Sequence, residues 1–267
     1  LEGRRLAVVC GDRVRWVRAR GEGAAGRITE VRTRATLLAR LNLRWETEPV
    51  AANLTQLVVV LAPLPAADFG LCDRYLAAAE WAGLKACIVA NKSDLADPSG
   101  TLAAILDEYV RIGYPVLRAS KRTSDGIAEL TARLAGETSV LVGQSGVGKS
   151  SLINRLVPGV EARVEEVSRA TELGRHTTST SSLYRLPTGG ELIDSPGVRD
   201  FSPPLPAPRD LAGGFREIAA GAPGCRFQDC RHRREPGCAV ATAVVEGRIT
   251  ARRLASYRGL LDLAGRT

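Results

Sequence analysis

TSVLVGQSGVGKSSLI, residues 138–153, decides how the rest of the chain is read. Residues 138–142 are β-branched and apolar, as in a short buried strand, and the composition from Lys149 onward suits a helix. Between them Gly143, Gly148, Lys149 and Ser150 keep the spacing G-x-x-x-x-G-K-S. Backbone N–H groups wrap a phosphate only where the chain bends tightly, so glycine stands where a side chain would block the approach or where φ must be positive. Gln144, Ser145, Gly146 and Val147 supply the backbone of that bend, and Ser151 follows it. Lys149 would then reach the β- and γ-phosphates, the Ser150 hydroxyl would take Mg²⁺, and the helix would point its N-terminus at the anion.

Upstream, strand-like and helix-like stretches alternate. Residues 57–63 are a buried-strand run, 71–81 read as helix, 86–90 as strand, 101–112 as helix, 115–119 as strand and 125–134 as helix. This rhythm predicts a parallel sheet with helices on both faces, its loops at the carboxyl ends of the strands, where ligands bind. Two loops there carry chemistry. Asn91-Lys92-Ser93-Asp94 follows one strand and Ser120-Lys121 the next. The Asp94 carboxylate can accept from N1 and N2 of guanine, a donor pair that adenine lacks, which selects GTP over ATP. Asn91 can tie this loop to the phosphate loop, and the Lys92 stem can cover the base. The alternative is a helix-entry loop capped by Ser93 or Asp94.

Downstream, residues 160–182 are long and polar and contain GRHTTSTSS from Gly174. Thr177 or Thr178 could bind Mg²⁺ and the γ-phosphate there and let go after hydrolysis. Residues 191–194 read as a strand ending in Asp194, which can hold Mg²⁺ through water, with the Gly197 N–H toward the γ-phosphate. The guanine-reading loops thus precede the phosphate loop, and the switch residues follow it. In ordinary GTPases the phosphate loop comes first, so the domain is read as circularly permuted.

Near the C-terminus Cys225, Cys230, His232 and Cys238 form C-x4-C-x-H-x5-C, three thiolates and an imidazole suited to tetrahedral Zn²⁺ with no open position. Cys10, Cys72 and Cys87 are expected to be ordinary buried residues. The net charge is +8 over 267 residues. Residues 1–50 hold eleven arginines against six acids, and residues 216–258 nine against four, while 51–215 hold sixteen basic against eighteen acidic groups. Two arginine-rich flanks favour a polyanionic partner, RNA, and Arg226, Arg231, Arg233 and Arg234 place part of that charge around the metal cluster. Residues 12–18 and 26–34 alternate polar and apolar about a glycine-rich turn, as in a small OB-like barrel that lacks a strand. No stretch approaches the roughly twenty apolar residues of a membrane span, and the start does not read as a signal peptide.

The ordered set of GDRV (11–14), AAN (51–53), NKSD, GQSGVGKSSLIN, GRHTT, DSPG and GCRFQDCRHRREPGCAV resembles the RsgA (YjeQ, EngC) family of GTPases that depend on the small ribosomal subunit. The resemblance covers almost the whole chain. It implies His176 as the residue that orients the attacking water, since Val198 stands where many GTPases have glutamine and cannot hydrogen-bond water. Its neighbourhood to Thr177 suits that role. It also implies late maturation of the small subunit, with binding in the GTP state, hydrolysis on contact and release with GDP. The resemblance also implies that Ser120-Lys121 supports the guanine; the chain departs from the family at Lys121, in place of a small residue, whose backbone N–H can still meet guanine O6, and at Thr55, in place of an acid.

The fold expected is α/β: a circularly permuted GTPase domain over residues 54–207, after an N-terminally incomplete OB-like domain (1–53) and before a zinc-binding helical domain (208–267). Zn²⁺ is expected as one structural ion and Mg²⁺ with GTP. A cytoplasmic monomer is expected, with GTP or GDP and the small subunit's rRNA as partners and no membrane. Two rivals stay open: a P-loop kinase or ATPase, and an RNA-binding module whose nucleotide is mainly structural.

Overall fold

The computed structural model describes residues 7–18, 26–42, 44–160, 181–195 and 201–265. Its centre is a six-stranded sheet built from β5 (Gln56–Leu61), β6 (Lys85–Asn91), β7 (Val116–Ala119), β8 (Thr138–Val142), β9 (Ser182–Arg185) and β10 (Glu191–Asp194). The order across the sheet is β7-β6-β5-β8-β10-β9, parallel except for the antiparallel edge strand β9.

The apolar run in β5 is explained by its place in the middle. Successive side chains of a strand point to opposite faces, and both faces here are covered, so every residue of β5 is buried. Leu57, Val59 and Leu61 enter the core formed with α1 (Phe69–Trp81) and α2 (Thr101–Ile112). Val58 and Val60 enter the opposite core, with α3 (Ile127–Leu134) and α4 (Lys149–Leu156). The two-layered alternation read from the sequence therefore holds, and α1 starts two residues earlier than its apolar pattern because Asp68 caps it, accepting from Leu71 N–H at 2.8 Å.

The N-terminal strands form two antiparallel pairs, β1 (Val14–Val17) with β2 (Arg27–Val31) and β3 (Leu37–Leu41) with β4 (Thr47–Ala52). Asp12 and Asn53, both in short motifs of the sequence, lock this region. Asp12 accepts from Arg34 at 2.7 and 2.8 Å and from Val9 N–H, while Asn53 accepts from Ala35 N–H and donates to the Gly11 carbonyl. Cys10 is half-buried rather than buried, bridged to Ala51 and packed against the edge of the first core; Cys72 and Cys87 are buried as expected.

The C-terminal part comprises α5 (Arg216–Gly221), α6 (Ala239–Val245) and α7 (Ala251–Ala264) around a third core that includes Phe215, Ile218, Val240, Tyr257 and Leu261. It docks on α1 through buried charge. Asp73, wholly buried, accepts from Arg253 Nη1 at 2.7 Å, from Arg252 Nη1 at 2.7 Å and from the Tyr109 and Ser256 hydroxyls. Arg253 also pairs with Glu217 at 2.6 Å. No helix among the described residues is long and apolar enough to cross a membrane.

Candidate nucleotide site and metal cluster

The loop between β8 and α4 is shaped by what lies behind it. A Cβ on Gly143, at φ 139°, would sit 2.3 Å from the Val60 carbonyl oxygen, and one on Gly148, at φ 95°, would sit 2.4 Å from Asn91 Nδ2. Glycine at both is therefore a condition of the loop's approach to β5 and to the neighbouring loop. Val147 is buried beneath the turn, Ser145 is exposed at its outside and Gly146 takes φ 79°. Lys149 folds its ammonium over the loop onto the carbonyls of Gly143 and Gln144 at 2.7 and 2.8 Å. Ser150 and Ser151 open α4, half-buried.

Asn91 joins the two loops as its motif predicts, donating from Nδ2 to the Val147 carbonyl at 2.8 Å. Lys92, at φ 56°, reaches across to the carbonyls of Leu64 and Gly146 at 2.7 and 2.8 Å. Ser93 N–H donates to the Ala119 carbonyl and so fixes the next loop against this one. There the buried Ser120 donates its hydroxyl to Asp94 Oδ1 at 2.5 Å and accepts from the N–H groups of Arg122 and Thr123. Arg122 Nε lies 3.1 Å from Asp94 Oδ2, and Lys121 Nζ lies 3.5 Å from Ser151 Oγ. The Ser120 hydroxyl first, then Arg122 and Lys92, hold the Asp94 carboxyl below its ordinary range, so it is an anion at neutral pH.

Asp194 closes β10, beside the strand that feeds the phosphate loop. His176, Thr177, Thr178 and Gly197 lie outside the described residues. Sequence reasoning missed one clamp: Gln144 accepts from Asp68 N–H at 2.7 Å and donates to the Ala66 carbonyl at 2.9 Å, pinning the β5–α1 loop to the phosphate loop. Its position inside the motif was visible, but its partners are more than 70 residues away.

The second cluster lies in the C-terminal part. The ligand atoms of Cys225, Cys230, His232 and Cys238 lie within 4.8 Å of one another, a set that can hold a metal ion. His232 Nδ1 is 3.6 Å from Cys225 Sγ and 3.5 Å from Cys238 Sγ, and those sulfurs are 3.9 Å apart. His232 sits at φ 58°, with Arg258 donating to its carbonyl and to that of Arg233. Burial pushes the Cys225 thiol up, but the N–H groups of Val240 and Ala239 outweigh it and leave the thiol below its ordinary range; burial raises Cys230 to about 12.

A parallel sheet whose strand ends carry a phosphate loop, preceded rather than followed by an Asn-Lys-x-Asp loop, defines a circularly permuted P-loop GTPase fold. Comparison with known proteins narrows the class. A family model described as RsgA GTPase matches residues 31–203. A protein of Azotobacter vinelandii named "Small ribosomal subunit biogenesis GTPase RsgA" is 49% identical over 257 residues, 96% of this chain and 74% of its own length. A protein of the same name from Ectopseudomonas mendocina is 47% identical over the same shares. The crystal structure of YjeQ from Thermotoga maritima superposes with a TM-score of 0.76 at 31% identity, covering 97% of this chain and 85% of its own. That of YloQ, "a circularly permuted GTPase", gives 0.73 at 27% identity, covering 99% and 83%. This chain belongs to the RsgA GTPase family.

Proposed function

We propose that the chain hydrolyses GTP and assists maturation of the small ribosomal subunit, its nucleotide state setting binding and release. The observation that carries this reading is the joined pair of loops: Asn91 holds the guanine-reading loop on the phosphate loop, in a chain 49% identical to a protein named for that task. Asp94 takes guanine through N1 and N2, Lys149 and the loop amides take the phosphates, and Ser150 and Asp194 serve Mg²⁺ with Thr177 or Thr178. Held by these residues, Mg²⁺ would supply positive charge to offset the negative charge that develops during transfer. His176 orients the attacking water, in the place left by Val198.

Zinc is the metal we assign to the four-residue cluster. With Zn–S near 2.3 Å and Zn–N near 2.0–2.1 Å, a regular tetrahedron needs about 3.8 Å between sulfurs and about 3.6 Å from sulfur to nitrogen. The spacings among Cys225, His232 and Cys238, 3.9, 3.6 and 3.5 Å, fit both, and Cys230 Sγ lies within 4.8 Å of the other three ligand atoms. All four positions are protein ligands, so the ion is structural. An rRNA partner is supported by the exposed Trp16, Val17 and Ile28 among Arg13, Arg15, Arg18 and Arg27, and by the exposed Arg226, Arg231, Arg233 and Arg234 around the cluster. Aromatic faces flanked by guanidinium groups suit unpaired bases and phosphates. The cytoplasm is the compartment in which such a partner is met.

The test is GTP turnover by the full chain with purified small subunits, large subunits or neither. Stimulation by small subunits alone is expected, and turnover indifferent to them would sink the reading in favour of an RNA-binding module with a structural nucleotide. In the same assay His176→Ala should lose most of the turnover, on the order of a hundredfold or more, and keep GTP affinity.

A further inference from the structure

Asp94 is the reader of the base in the proposed function, and this inference rests on that reading. A carboxylate that reads guanine must offer both oxygens in one plane to the N1–H and the 2-amino group. In the structure those oxygens have different partners. Oδ1 accepts from the Ser120 hydroxyl at 2.5 Å, a small donor that is wholly buried behind the loop. Oδ2 is 3.1 Å from Arg122 Nε, and the Arg122 side chain is 74% exposed. Ser120 therefore holds the carboxylate from inside, whereas the guanidinium approaches from the solvent side, by which a base must also arrive.

The other cations nearby are engaged elsewhere. Lys92 Nζ is held by the Leu64 and Gly146 carbonyls, and Lys121 Nζ points to Ser151. Arg122 is also kept in place by its own backbone, since its N–H donates to the Ser120 Oγ that orients Asp94. One hydroxyl thus fixes both the base-reading carboxylate and the residue that competes for it.

We propose that Arg122 is a displaceable counter-ion of Asp94, an internal competitor that guanine must evict. It pairs with the carboxylate that Ser120 orients, and it lowers the apparent affinity for GDP and GTP by the factor that its own pairing represents. An exposed ion pair of this kind corresponds to an effect of about 1.5- to 5-fold. Because the pair must open before the base can seat, the effect falls on association, and the dissociation rate is set by contacts that Arg122 does not make. Removing it should therefore raise affinity, a direction that damage to the loop cannot produce.

The experiment is stopped-flow binding of GDP carrying a fluorophore on its ribose to the full chain, as wild type, Arg122→Ala, Arg122→Lys and Asp94→Ala. Arg122→Ala should associate about 1.5- to 5-fold faster with little change in dissociation, and Arg122→Lys should fall back toward wild type. An unchanged or weakened Arg122→Ala overturns the proposal; a weakened one would mean that the guanidinium supports the base. Asp94→Ala separates the two layers, read by competition with ADP. If it abolishes the preference for GDP while Arg122→Ala does nothing, only the competitor falls. If it leaves the preference intact, the guanine reading falls and takes the competitor with it.

Discussion

In the phosphate loop, position is set by backbone packed behind backbone: Gly143 lies so close to the Val60 carbonyl that a single Cβ would come within 2.3 Å of its oxygen. In the stretch from Cys225 to Cys238, regular structure is nearly absent, and four side chains converge within 4.8 Å in a loop held otherwise by a few hydrogen bonds, to Glu235 and from Arg258 among them. The first site is a by-product of a sheet whose two faces are already buried. The second has no such support, and its thiolates and imidazole converge usefully only around a cation. A site of the first kind tolerates loss of its ligand and suffers from added atoms. One of the second kind should behave the other way round.

The largest expected effect follows from removing the metal. Stripping the proposed zinc with a chelator should remove an apparent binding free energy of about 10–16 kcal/mol from the cluster, and replacing Cys238 by Ala, which leaves three of the four ligands, should remove part of it. Hydrogen exchange should then show residues 225–245 losing protection while 56–61 and 138–156 keep theirs. Helix α7 should lose less than α6, because Arg253 anchors it to Asp73 and Glu217. Unchanged protection across 225–245 would break the comparison.

An intermediate effect is expected from Gly143→Ala set beside Gly136→Ala. Both glycines have positive φ, 139° and 74°, but a Cβ at Gly136 meets nothing within 4 Å. The change at 136 should cost about 1 kcal/mol of backbone strain, and that at 143 about 3 kcal/mol together with most of the nucleotide affinity. Equal losses in chemical denaturation would mean that packing behind the loop does not set its shape.

The smallest effect concerns the N-terminal strands, which have neither a central sheet nor a metal. Burial by itself would raise the Asp12 carboxyl, but Arg34 and the Val9 N–H more than offset it and leave the group below its ordinary 3.8. A carboxyl depressed in the folded state contributes fully above its unfolded value and loses that contribution as the pH falls through its folded value. Asp12→Asn should therefore cost about 1 kcal/mol near pH 6 and progressively less as the pH falls through the folded value of Asp12, measured as thermal stability across pH. A cost that does not fade with acid would assign Asp12 a role other than its charge.

The sequence disclosed what is local. The buried run of β5, the two loops and the four candidate metal ligands each lie within about twenty residues, and their chemistry follows from residue type at fixed spacing. It disclosed less where partners are distant or punctuation is missing. Strands β3 and β4 went unread because residues 37–52 contain no glycine and because Pro49 breaks the alternation, sitting opposite Ala39 where the register shifts. The clamp made by Gln144 and the pairing of Asp73 with Arg253 join residues 76 and 180 positions apart, which no local pattern announces.

Phe201, the first described residue beyond the DSPG loop, stacks on Tyr75 at 4.8 Å, and the Ser202 carbonyl accepts from Leu41 N–H in β3. On the same helix Asp73 holds Arg253, and Gly214 lies so close to Trp81 that a Cβ there would come within 2.6 Å of the indole. Helix α1 is thus shared property. A cut at the proposed 207/208 boundary would leave a fragment whose Asp73 has lost both arginines and whose Trp81 indole is bared, and a counterpart whose buried Arg253 keeps Glu217 but has lost Asp73. Divided at the seam that its motifs suggest, the chain would yield two halves each missing part of its interior, so its modules are separable as text and inseparable as matter.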